Sequence, residues 1–217
     1  MSATFYDHPA RDAQPASFGR YLRGAPVDAP PPVRLEVREA GYQVVEIHDE
    51  AEWPLARTQW EPLYLANDGH LSAAPPEQPG RVAFCTRREA ATFTYRVPCD
   101  MELTGPMTLR VWLEVDGADD IDLTVGVEKW RGTRCVGFEG SHGFGRDRVA
   151  TGWQKASLRQ LDEHRSTVAE PVHTCLTRQP LEPGQVVPVD VALGPSATLP
   201  SRRVAAARRR RALVVLT

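Results

Sequence analysis

The 217-residue chain contains no Gly-x-Ser-x-Gly, no Cys-x-x-Cys, no His-x-His and no His-Glu-x-x-His. The first absence removes the strained strand-to-helix turn that exposes the nucleophile of an α/β-hydrolase. The others remove the spacings that zinc sites and thioredoxin-like redox motifs require. No apolar run approaches the roughly 18 residues that cross a bilayer, and the opening MSATFYDHPARDAQPAS lacks the apolar stretch of a secretory signal. Cys85, Cys99, Cys135 and Cys175 are widely spaced, so reduced, partly buried thiols and a cytoplasmic address are expected. An excess of one charge is missing too. Against 28 Asp and Glu stand 26 Lys and Arg, a net charge of −2 that attracts neither nucleic acid nor an anionic membrane.

What is present is punctuation and alternation. Nineteen prolines and sixteen glycines separate short runs of period two, the pattern of half-buried strands, while helical periodicity is scarce. Val33, Leu35 and Val37 alternate with charged residues directly after Pro30-Pro31-Pro32. Leu109 to Val115 and Leu123 to Val127 repeat the pattern, and residues 116–120 join them with turn chemistry, so these two strands are expected to be neighbours. Val187, Val189 and Val191 give another strand, and shorter candidates lie at 62–65, 91–97, 134–138 and 152–158. Eight or nine strands without βαβ alternation predict an all-β fold, a double-sheet jelly-roll sandwich. Trp112 and Trp130 sit on strands and are expected to pack between the sheets. Ser17–Arg23 is expected to form one short helical turn within an N-terminal arm. Hydrophobic content of 41% and charged content of 25% suit a globular chain, which at this size buries about 70% of its unfolded surface.

Few groups invite chemistry. Ser141-His142 places a serine beside a histidine, but Glu139 stands where a nucleophile elbow needs glycine, and adjacent side chains point apart. Gly143-Phe144-Gly145 lacks the third glycine of a dinucleotide cradle. Asp116, Asp119, Asp120 and Asp122 could supply oxygens to Ca²⁺, yet no EF-hand spacing is present and turn capping explains them. The histidines His8, His48, His70, His142, His164 and His173 show no ligand spacing. Arg208 to Arg211 could meet phosphates, but no aromatic platform accompanies them. No catalytic, cofactor-binding or metal residue is therefore assigned.

Four blocks in order carry a family resemblance. They are Phe18 to Gly24 with Pro31 to Arg38; Glu52-Trp53-Pro54-Leu55 with Pro62 to Leu65 and Gly69 to Ser72; Met101 to Pro106 with Asp120 to Leu123; and Gly152-Trp153-Gln154 through Pro171-Val172-His173-Thr174 to Pro183-Gly184. Together they resemble the C-terminal β-sandwich of the cocaine-esterase-like (CocE/NonD) and X-Pro dipeptidyl-peptidase serine hydrolases. The resemblance implies a galactose-binding-like jelly roll over 31–199, preceded at 1–30 by an arm from the junction with the catalytic domain. It implies an α/β-hydrolase catalytic domain as partner, on which this chain packs to wall the active-site cleft, with no triad of its own and no activity alone. His173 reads in the family as structural. The family pattern stops at Leu199, where an Arg/Ala-rich tail over 200–217 replaces the family's final strand and suggests a shifted reading frame. A free-standing carbohydrate-binding module is the alternative reading, on fold analogy only.

Overall fold

The computed structural model describes residues 8–26, 28–41, 43–85, 89–139, 146–198 and 210–216, with the side chains of 8–10, 139, 146 and 210–216 excepted. In chain order these form α1 (His8–Arg23), β1 (Val33–Ala40), β2 (Gln43–Glu50), β3 (Tyr64–Leu65), β4 (Leu71–Ser72), β5 (Ala91–Tyr95), β6 (Leu103–Leu113) and β7 (Asp122–Arg131). There follow β8 (Arg134–Val136), β9 (Phe138–Glu139), β10 (Arg146–Asp147), β11 (Ala150–Lys155), a 3₁₀ turn (Ala156–Leu158), β12 (Val187–Thr198) and β13 (Arg210–Leu216). One sheet runs β2-β1-β12-β6 and the second β11-β7-β13-β5, with β8 added to β7.

The two sheets stack as a β-sandwich because alternate residues of each are apolar. Val187, Val189, Val191 and Leu193 of β12 enter one core with Leu123 and Val125 of β7, Ala91 and Phe93 of β5, and Ala150 of β11. Met107, Leu109, Val111 and Leu113 of β6 pack on the same core. At Gly152 the two sheets approach closely. A methyl group built there would lie 2.3 Å from the main-chain oxygen of Ala192, so only hydrogen fits between the two backbones.

Several expectations are corrected. β6 and β7 do not pair: the 116–120 connection carries the chain from one sheet to the other. The helix runs sixteen residues, not one turn: Pro9 sits in its first turn, where proline is tolerated, and the helix continues through Pro15 among Arg11, Ala13, Gln14 and Ala16, which favour helix but carry no apolar period. Its end is built as the sequence dictates. Gly24 adopts φ +63°, the Ala25 amide donates to the Gly19 carbonyl at 3.0 Å, and Arg20 and Arg23 lie in the last turn against the negative end of the helix dipole. β2 escaped the sequence reading although Val45 and Ile47 alternate with Glu46 and His48. Trp112 is 64% exposed on the outer face of its sheet, because the period that turns Leu109, Val111 and Leu113 inward turns residue 112 outward. Trp130 is half-buried, and its indole donates to the Glu128 carboxylate at 2.9 Å. Finally, Arg210–Leu216 lie between β7 and β5, antiparallel to both, so a strand stands where the tail was expected to leave the sheet without one.

Candidate functional site

The four aspartates between β6 and β7 do not converge on a cation. Asp120 is turned inward, where its carboxylate accepts from Ser157 N at 2.9 Å, Ser157 Oγ at 2.6 Å and Ile121 N at 2.9 Å, with Lys155 Nζ at 3.4 Å. Burial alone would push the Asp120 carboxyl up, but these donors outweigh it and hold the group below its ordinary range. Asp119 pairs with Arg178 at 3.3 Å and Asp122 with Lys155 at 3.0 Å. Each of these three carboxylates thus has a protein cation or donor already in place, which fits the structural reading better than the calcium one.

That polar knot anchors the long excursion between β11 and β12. Gln179 N donates to Ser157 O at 2.7 Å, Leu181 N to Asp119 O at 2.8 Å, and Arg159 to the carbonyl of Gln179 at 2.6 Å. Thr108 Oγ1 on β6 reaches the Ala169 carbonyl at 2.5 Å, so the excursion lies over the outer face of the first sheet. Beneath it Arg110 grips Asp190 through two hydrogen bonds, 2.7 and 2.9 Å. His173 lies beside Asp190. Burial lowers the imidazole pKa, with the Asp190 carboxylate and main chain acting in the opposite sense, and Nε2 is buried without a hydrogen-bond partner. A half-buried ring placed beside Asp190 in this way supports the excursion.

The region ahead of β3 has the opposite character. Phe18, Tyr21 and Leu22 share one face of α1 at i, i+3 and i+4 and are 63%, 71% and 76% exposed. Val44, Val45 and Ile47 of β2 and Trp60, Leu63 and Tyr64 beyond it are exposed as well. These large apolar groups are exposed at high density along one stretch of chain. Charged side chains interleave them: Arg57 holds Glu50 through two hydrogen bonds and lowers its pKa.

Of the other candidates, Ser141-His142 and Gly143 to Gly145 lie outside the described residues, as do Arg208 and Arg209, while Arg210 and Arg211 begin β13. Cys85, Cys99 and Cys175 are exposed and Cys135 is half-buried, all four outside any disulfide. Exposed Trp112 and Trp153 stand on the outer faces of different sheets and so form no shared stacking platform for a sugar. No helix among the described residues is long and apolar enough to cross a membrane.

Residues 25–199 match the family described as "X-Pro dipeptidyl-peptidase C-terminal non-catalytic domain". No curated protein sequence matches the chain significantly. A crystal structure of a CocE/NonD family hydrolase from Staphylococcus aureus superposes with a TM-score of 0.83 at 28% identity, over 99% of this chain and 39% of that one. A second crystal structure of the same hydrolase gives 0.84 at 28% identity, over 99% and 38%. An aminopeptidase from a marine sediment Thaumarchaeota archaeon shares the fold, with a TM-score of 0.64 at 14% identity over 100% of this chain and 37% of that one. The chain therefore spans less than two-fifths of the length of the solved proteins it matches.

Proposed function

Since the chain belongs to the X-Pro dipeptidyl-peptidase C-terminal non-catalytic domain family, we propose that it works as the accessory sandwich of a CocE/NonD-type serine hydrolase. In this reading it packs against an α/β-hydrolase catalytic domain and forms part of the wall of that domain's active-site cleft. The observation that carries the reading is the exposed apolar face of Phe18, Tyr21 and Leu22 on α1, with further exposed apolar groups on β2 and in residues 60–64. The internal organisation of the aspartates and of His173 supports it, because it leaves these groups engaged within the domain itself. The parent reaction would be hydrolysis of an acyl ester or amide, or removal of an X-Pro dipeptide, by a nucleophile on the partner. The jelly-roll, galactose-binding-like topology and a cytoplasmic address belong to the same proposal.

The test has two parts. The isolated chain should neither turn over p-nitrophenyl esters nor be labelled by a fluorophosphonate probe for serine hydrolases. An α/β-hydrolase domain, sought by translating the DNA on both sides of this reading frame for Gly-x-Ser-x-Gly, should bind the chain in sedimentation and lose affinity when Phe18, Tyr21 and Leu22 are all changed to Ala. Labelling at Ser141 of the isolated chain, or a neighbouring hydrolase domain that ignores it, would overturn the proposal.

A further inference from the structure

β2 presents its polar residues in an unusual direction. Cross-strand partners in an antiparallel pair share a face, and Glu46 is opposite Val37 while His48 is opposite Leu35. Val37 is fully buried, and Glu46 and His48 share its side of the β1–β2 ribbon, where His48 is half-buried and Glu46 stays exposed, while Val45 and Ile47 lie on the other side. Glu102, from the segment leading into β6, reaches the same place. One ligand-type atom from each of Glu46, His48 and Glu102 falls within 4.8 Å of the others, and His48 Nε2 lies 3.1 Å from Glu46 Oε2. Thr104 Oγ1 donates to Glu102 Oε1, orienting that carboxylate, which also lies within reach of the Arg57 charge.

We propose that Glu46, His48 and Glu102 form a binding site for a divalent transition metal of the Zn²⁺ class. The donor set is one imidazole nitrogen and two carboxylate oxygens, a combination that favours Zn²⁺ and its neighbours over Ca²⁺ or Mg²⁺, which take oxygen alone. A tetrahedral ion about 2.0–2.2 Å from each donor separates its ligands by roughly the His48–Glu46 spacing, so rotamer adjustment of Glu102 closes the site and water takes the fourth position. The two carboxylates supply the charge that offsets the ion. Thr104 is the outer partner that fixes Glu102. Because Glu46 and His48 come from one edge strand of the first sheet and Glu102 from the approach to the opposite edge strand, a bound ion clips the β1–β2 hairpin to the sandwich.

The test uses the full chain with its exposed thiols alkylated, titrated with ZnCl2 and with CoCl2 as the spectroscopic probe. One saturable equivalent is expected, with d–d bands of nitrogen and oxygen ligation, no sulfur charge-transfer band and a raised melting temperature. His48→Ala and Glu102→Gln should each weaken binding by at least about tenfold and Thr104→Val by about tenfold, while His164→Ala leaves it unchanged. His48 and Glu102 are surface-accessible, so circular dichroism should show both variants folded. Absence of saturable binding at millimolar metal overturns the site, as does binding that His48→Ala leaves intact. Loss in His48→Ala but not in Glu102→Gln overturns the three-residue assignment.

Discussion

The stretch from Ala150 to Thr198 and the stretch from His8 to Tyr64 differ in how their polar groups are matched, although Trp153, Val168, Leu176 and Val186 of the first are exposed too. In the first, polar groups find partners on β6 and on the link ahead of β7: Ser157 with Asp120, Asp190 with Arg110, and the main chain of the excursion with Ser157 and Asp119. In the second, aromatic and aliphatic groups are exposed on α1 and β2, while half-buried His48 shares the face of buried Val37. A buried carboxylate with its donors in place is a structural device that needs nothing from outside. An exposed row of Phe, Tyr and Leu gains free energy only when something covers it. The contrast separates what holds this domain together from what it leaves exposed.

The largest effect that would sharpen the comparison is at Gly152. Gly152→Val forces a branched side chain against the Ala192 backbone and should cost about 3 kcal/mol or more in urea unfolding. A loss under about 1 kcal/mol would mean that the sheets part easily there. Next, Asp120→Ala should cost about 2–3 kcal/mol by leaving Ser157 N and Oγ without their acceptor, whereas a loss near zero would show the knot to be ornamental.

Acid should act on the same stretch. The folded pKa of Asp120 lies below its unfolded value, so its contribution is present above the ordinary carboxylate range and is lost as pH falls through the folded value. His173 also has a lowered folded pKa. The unfolded ring therefore takes up a proton first, and stability declines as pH drops below about 6.5. Unfolding free energy measured from pH 7.5 to 5 should fall, and His173→Gln should flatten that slope; an unchanged slope would remove His173 from the account. The smallest effect belongs to the other stretch. Phe18→Ala, Tyr21→Ala and Leu22→Ala together should shift the stability of the isolated chain by no more than about 0.5 kcal/mol, and a large loss would make α1 part of the core and end the contrast.

Much of this was legible in the residues. The period of two at Val33–Val37, Leu109–Leu113, Leu123–Val127 and Val187–Val191 marks strands that the structure contains, and these strands meet in the sandwich. The family resemblance over Phe18 to Ser196 agrees with the match over residues 25–199. Pairing was less legible. β6 and β7 are joined by a short turn-rich link yet belong to different sheets, because a link of that length can cross a sandwich as readily as close a hairpin. The direction of Trp112 follows from its place in the alternation, which was read for Leu109 and Val111 but not carried to residue 112. Glu46, His48 and Glu102 could not be grouped from sequence, since the spacing between His48 and Glu102 carries no ligand motif and only folding brings Glu102 to β2.

The contact at Gly152 also acts on the sandwich as the spine acts on a book. Main chain meets main chain at the β11 edge of the second sheet, so the separation there is set by backbone atoms as long as residue 152 is glycine. β5, with Phe93, lies at the far edge of the same sheet. Volume added to or removed from the core must therefore open or shut the leaves from that far side, which makes the β5 edge the place where the domain changes shape and the β11 edge the place where it keeps it.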